Sequence, residues 1–363
     1  MSADERRPIA QSAIDLLDGL GGVARARRLR DAWPAFDQAA WRAMAGAGLP
    51  GSLVPEAQGG SGLQIAEACA LIEGAGARLA PEPLAPCIAA AALLARSTAP
   101  NAAQLLRALL AGGRIVVPAS YALEAWPGEP GIHARRTAQG VGLRGLAPRI
   151  PDGHCASDFL LGVEADGEFL LVHVEASNRA LELHSSPCVD GSSLGDLRLR
   201  GLMVDADHVL LAGAVASAAH GTLVDMLCLV RSAQLVGLMN AALRLTLDYL
   251  KTREQFGRPI GSFQVLQHRA ASAHIDITVS RSLLYEACRA FGTPMQRRAA
   301  AAAGARACGA ALRVTKECVQ LHGAIGFADE HDIGLFLRRA MALAGAAGGE
   351  SSNRKRYAAV TAS

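Results

Sequence analysis

The 363 residues, 51% hydrophobic and 19% charged, suffice for a large buried core spread over two or three domains. A formal charge of +3 is small for that length and argues against nucleic acid as a partner. Eight cysteines with no CxxC pair point to reduced thiols and away from a zinc site.

The opening MSADERRPIAQ lacks the apolar run of a signal peptide. The longest unbroken apolar stretch, Cys87 to Ala95, is far short of the ~18 residues that cross a bilayer. The chain therefore reads as soluble and cytoplasmic, with no membrane partner. Residues 1–114 are rich in Ala, Leu and Arg, with helix-spaced apolar positions such as Ile14 and Leu17. Glycines and prolines in GSLVPEAQGGSGLQ (Gly51 to Gln64) and LAPEPLAP (Leu79 to Pro86) break this helical part.

From residue 115 to residue 213 the pattern changes to short apolar runs, among them DFLLGVEA and EFLLVHVEA. Asp166-Gly167 between those two runs predicts a two-residue hairpin. From residue 214 the helical period returns, with Leu223, Met226, Leu227 and Val230 at i, i+3, i+4 and i+7. Further helices are expected over Phe263 to Leu284 and Ala299 to Leu321. The fold expected is α+β and multidomain: an N-terminal all-α domain (1–114), a middle antiparallel β-barrel or sandwich (115–213) and a C-terminal four-helix bundle (214–363). Helices and strands in separate blocks are unlike a doubly wound sheet.

The helical block is interrupted at YLKTREQFGRPIGSFQ, where Gly257, Pro259 and Gly261 gather Arg253, Arg258 and Gln264 around a break. Backbone N–H groups freed at a helix start attract anions, and an arginine adds a bidentate donor suited to phosphate. An αα-hairpin whose Arg253 pairs with Glu254 is the alternative reading of this stretch taken alone. A second break occurs in CVQLHGAIGFADEHDIGLFLRRA, where Gly323 and Gly326 end another helix.

Together the two segments resemble the acyl-CoA dehydrogenase family, and the resemblance covers nearly the whole chain. It implies FAD as cofactor. Arg253 and Gln264 would contact the FAD diphosphate of a neighbouring subunit, and the loop of Gln320, Gly323 and Ala324 its adenosine part. Ala324 stands where the family has a second glycine, and Phe327 where it has tyrosine. The resemblance also implies an acyl-CoA substrate, fatty or sterol-derived, and an electron-transfer flavoprotein as electron acceptor. Assembly as a homo-oligomer, or as a heteromer with a second acyl-CoA dehydrogenase chain, follows from the shared cofactor site.

The family's chemistry removes the proton α to a thioester carbonyl while a hydride leaves the β carbon for the flavin. The base is usually a glutamate in a Glu-Gly-Thr turn. Counting from Arg338 puts that position near Ala347, and Glu350, followed by Ser-Ser, is the candidate catalytic base. A minority of members carry the base on the first long C-terminal helix, at a position matching Leu227 here. Asp225 lies nearby but about 200° round that helix. Tyr121 to Leu123 keep part of a segment that reaches the flavin ring, without its threonine. Without a base, the chain would be the partner subunit that completes an FAD site, or a non-enzymatic scaffold of the same fold.

Two further signals point elsewhere. GVGLRG (Gly140 to Gly145) matches GxGxxG but lies among strands, against a dinucleotide-binding loop. Asp329 to Asp332 reads as a solvated loop rather than a metal site, so no metal is expected. His322 reads as packing or capping near the cofactor loop.

Overall fold

The computed structural model describes residues 3–33, 35–119 and 131–361. Six helices come first: α1 (Ala3–Gly19), α2 (Gly22–Arg30), α3 (Gln38–Gly46), α4 (Ile65–Ala77), α5 (Leu84–Leu94) and α6 (Pro100–Leu110). Local chemistry starts several of them. Asp37 accepts from the backbone N–H groups of Ala39 and Ala40 at the start of α3, and Pro100 occupies the first position of α6.

Among the described residues eight strands follow: β1 (Val116–Pro118), β2 (Ile132–Thr137), β3 (Gly140–Pro151), β4 (Asp158–Ala165), β5 (Glu168–Glu175), β6 (Leu181–Pro187), β7 (Ser193–Val204) and β8 (Val209–Ala212). They form one sheet in the order β6-β7-β3-β2-β4-β5-β8, with β1 added against β4. The expected hairpin is present: Asp166 and Gly167 both take positive φ, and Ala165 pairs with Glu168. Gly140 to Gly145 run inside β3, so the GxGxxG match is strand.

The sheet corrects one expectation, because it is mixed rather than purely antiparallel. β4 runs parallel to both β1 and β2. Long intervening chain separates β4 from these strands, and a parallel pair needs such a crossover instead of a tight turn.

The C-terminal helices are α7 (Gly213–Thr252), α8 (Gln264–Arg289), α9 (Gln296–His322), α10 (Ile333–Ala346) and α11 (Gly349–Thr361). A short ribbon of β9 (Glu254–Gln255) and β10 (Arg258–Pro259) joins α7 to α8. By packing, the chain falls into two compact units. One holds residues up to Asp31, Ile65–Ala80 and residues from Cys228; the other holds Ala32–Gln64 and Pro81–Leu227.

In the first unit, α7 is buried on every side between Cys228 and Met239, with Arg231, Ser232 and Gln234 buried among mostly apolar neighbours. Length and composition alone would let α7 cross a membrane, but half of its most apolar window is buried. A mostly apolar helix covered on all sides like this is a core element. It also approaches α4 closely: a Cβ on Gly237 would lie 1.8 Å from the Glu73 carbonyl oxygen. Glu73 in turn receives Nε and Nη2 of Arg281 at 2.8 and 2.5 Å, fastening α8 to α4.

In the second unit the sheet supplies the core. Phe159, Leu161, Leu171 and Leu197 are fully buried, and β7 alternates buried leucines with exposed Arg198 and Arg200.

Candidate functional site

The two glycine-interrupted segments meet at one end of the helical unit. Leu250 near the end of α7, Ala270 early in α8 and Leu321 at the end of α9 form one buried cluster, with Ile260 and Leu266 packed against it. This cluster brings Arg253 and Gln264 to the same end of the bundle as Gln320, Gly323 and Ala324. All five are solvent-exposed.

The ribbon before α8 is held rigidly. Ile260 N–H donates to the Arg253 carbonyl at 2.8 Å, and Gln267 Nε2 to the Gly261 carbonyl at 2.9 Å. Phe256 and Gly257 make its two-residue turn, both at positive φ. A bulky residue in that region is strained, and Phe256 is also 92% exposed. Arg258 lies over the Phe263 ring at 4.3 Å. Among the described residues, neither Glu254 nor another carboxylate pairs with Arg253. Its guanidinium therefore reaches solvent next to the ribbon.

The second segment is a tight turn, Gly323–Phe327. Gly323 has φ 65° and ψ −141°, a conformation open to glycine alone. Ala324 beside it is tolerated because it sits in the turn proper. A cation, two amides and small residues on one exposed face suit a diphosphate with its attached nucleoside, so these residues fit FAD.

The catalytic candidate lies elsewhere. Glu350 is in the first turn of α11 and packs over the middle of α9. A Cβ at Gly309 would come 2.3 Å from its Oε2, so the carboxylate rests on bare helix backbone. Arg354, one turn on, is its ion-pair partner. Gly309 precedes Gly323 by some ~20 Å along α9 at the helical rise of ~1.5 Å per residue. Ala347, where the family's glutamate is expected, is 1% exposed. Its carbonyl accepts from Asn353 Nδ2 at 2.8 Å, and so does that of Gly349, which closes the α10–α11 turn. Asp225 is 3% exposed on α7. Tyr121 to Leu123 lie outside the described residues.

Two groupings went unnoticed in the sequence. The loop expected to be solvated is strapped down: Arg27 binds Asp332 at 2.7 Å, and Arg30 and Arg338 both grip Asp329 at 2.7 and 2.8 Å. Those two cations, Arg30 foremost, hold the Asp329 carboxyl well below the usual range. The arginines of α2 were visible, but nothing local linked them to a loop some three hundred residues away. In the other unit, buried Asp158 accepts from His173 at 2.8 Å, and His208 stacks on His173. These residues line a small polar cavity of about 120 Å³ with Arg114, Glu175 and Asn101.

Residues 5–112 match the acyl-CoA dehydrogenase N-terminal domain, and residues 222–361 the C-terminal domain. Acyl-CoA dehydrogenase FadE27 of Mycobacterium tuberculosis is 31% identical over 332 residues, spanning 88% of this chain and 87% of that protein. The ChsE4-ChsE5 complex from the same organism contains a chain of 28% identity that superposes with a TM-score of 0.91, covering 100% of this chain and 98% of that one. A variant of the Tcur3481-Tcur3483 steroid ACAD is also 28% identical, with a TM-score of 0.88 over 99% of this chain and 98% of that one. The sequence motifs, the helix–sheet–helix order and these likenesses agree: the chain belongs to the acyl-CoA dehydrogenase family, the FAD-dependent oxidoreductases of acyl-CoA thioesters.

Proposed function

We propose that this acyl-CoA dehydrogenase acts on a bulky, sterol-derived acyl-CoA in the cytoplasm, as an oligomer whose FAD sites are shared between chains. The convergence of Arg253, Gln264, Gln320, Gly323 and Ala324 on one exposed end of the helical unit carries the reading. In it, Arg253 and Gln264 hold the FAD diphosphate of an adjacent subunit, and Gln320, Gly323 and Ala324 hold its adenosine part. The clamp stands far along α9 from Glu350, as expected if the two serve different cofactor molecules. Val265, Ile275 and Val279 expose 65, 60 and 40% of their area on α8, apolar surface that a second chain would cover. The likeness to a steroid ACAD supports the substrate class. Residues 1–114, 115–213 and 214–363 are its functional divisions, and an electron-transfer flavoprotein takes the electrons onward.

Bound FAD supplies the hydride acceptor for the β carbon. The chain's own task is to take the α-proton, and Glu350 is the residue proposed for it. Its place in the first turn of α11 sets the carboxylate at the positive end of the helix dipole. A carboxylate near an acidified α-proton is the general base the reaction needs. Anaerobic bleaching of the flavin by a panel of acyl-CoAs, with the chain alone, tests this reading. Bleaching by sterol-derived but not short acyl-CoAs supports it, and a colourless protein that ignores added FAD overturns it.

A second reading is favoured by one observation. Glu350 is already engaged, paired with Arg354 and seated on Gly309. In that reading the base comes from another chain, and bleaching occurs only after co-expression with it.

A further inference from the structure

Beside the cofactor loop, three rings of the helical unit form a closed group. Tyr249 of α7 stacks on His322 of α9 with centroids 4.6 Å apart. His331, from the loop after Phe327, lies 4.6 Å from His322 and meets Tyr249 edge-on at 6.3 Å. His322 is 2% exposed. Its Nδ1–H donates to the Cys318 carbonyl at 2.8 Å, while its buried Nε2 has no hydrogen-bond partner. Ile333 N–H donates to His331 Nδ1 at 3.2 Å, which leaves the His331 proton on Nε2. Both rings are thus held as neutral imidazoles, one of them pointing a buried bare nitrogen away from its helix.

We propose that His322 and His331 are positioning residues for the cofactor loop: neutral, they brace Gly323–Phe327 in its FAD-binding shape, and protonation forces them apart and loosens FAD. This rests on the reading that the loop of Gln320, Gly323 and Ala324 holds FAD. The geometry leaves little slack. His322 adjoins Gly323, and a Cβ on Gly326 would lie 2.4 Å from the Val319 carbonyl oxygen and 3.1 Å from the His322 Cβ. A shift of the His322 ring is therefore transmitted directly to the turn.

The groups facing the pair set the sign. Burial first, and then His331, lower the His322 pKa from 6.5 against the opposing pull of the Cys318 carbonyl. Burial likewise lowers that of His331; Asp332 opposes this and Arg27 of α2 adds to it. Both groups bind a proton less readily in the folded, braced state than in a released one. The stabilisation they give is complete above the unperturbed value of 6.5 and is lost as pH falls below it toward the lowered folded values. Each pH unit spent in that window costs up to ~10-fold in loop closure per histidine.

The test measures FAD retained by the purified holoenzyme, as flavin absorbance after gel filtration, between about pH 8 and about pH 5. The wild type loses FAD several-fold faster at the acid end. His331→Gln and His322→Gln flatten that profile, because an amide cannot take the proton. If His322→Gln fails to fold, the half-buried His331→Gln carries the test. Thermal melting of the FAD-free chain against pH separates this idea from the reading beneath it. A melting slope that the substitutions abolish supports the brace even if Arg253→Ala leaves FAD binding unchanged. An acid profile identical in wild type and both variants overturns the proposal.

Discussion

Helix α9 carries two contrasting regions. At its C-terminal end, the Gly323–Phe327 turn is exposed, strained and joined through Leu321 to the ribbon that bears Arg253. Along its middle, the small residues of AAAAAGARACGAAL admit α7 and α11 so closely that Cys228 of α7 and Asn353 of α11 press on Gly304, and Glu350 of α11 on Gly309. The first region leaves backbone and charge open to the outside of the chain, as the proposed FAD clamp requires. The second is internal packing, in which a potentially reactive carboxylate has partners of its own. The lesson is that a cofactor clamp is defined by where the chain stops being regular, whereas a catalytic carboxylate is defined by what surrounds it.

The largest expected effect tests which kind of group Glu350 is. Glu350→Gln keeps the side chain's size but removes the base, so anaerobic flavin reduction by acyl-CoA should fall ~10²–10⁴-fold with FAD content unchanged. Equal reduction rates in wild type and variant would leave Glu350 a packing residue and move the search to Asp225 or to another chain.

Arg253→Ala acts at the other end. Leaving diphosphate charge uncompensated should weaken FAD by about 1.5–3 kcal/mol, roughly 10- to 100-fold in the dissociation constant measured by flavin fluorescence. The fold should be untouched, since the side chain is exposed. A loss of secondary structure in step with FAD loss would mean that Arg253 holds the ribbon and not the cofactor.

The contrast also explains what could be read from the amino acids. Asp166-Gly167, the end of α7 near Arg253 and the end of α9 at Gly323 were legible because turn and helix-breaking chemistry is local. The parallel pairing of β4 with β1 was not, since apolar strand runs carry no mark of direction. The ion pairs of Arg27 and Arg30 with Asp332 and Asp329 join residues remote in sequence, so nothing in the largely exposed DEHD segment pointed to α2. The seat of Glu350 was hidden for another reason. Gly304 and Gly309 sit in an alanine-rich run that reads as ordinary helix, and only the docking of α11 shows what their missing side chains make room for.

The smallest effect sharpens that last point. Gly309→Ala adds a methyl group where the tips of Glu350 and Arg313 now lie, at 2.3 and 3.1 Å from the new Cβ. Both tips belong to long, partly exposed side chains that can swing outward. Alanine in a helix interior is also favoured over glycine by about 1 kcal/mol. The two effects oppose each other, so the midpoint of thermal unfolding should hardly move. Catalysis is the more sensitive readout. If Glu350 takes the α-proton, moving it by an ångström or more should lower flavin reduction well beyond any change in stability, since misplacing a reacting group by that much costs up to ~10²-fold. A stable Gly309→Ala variant with wild-type reduction rates would place the chemistry away from this face of α9, and the wild-type rate of Glu350→Gln would then be the expected companion result.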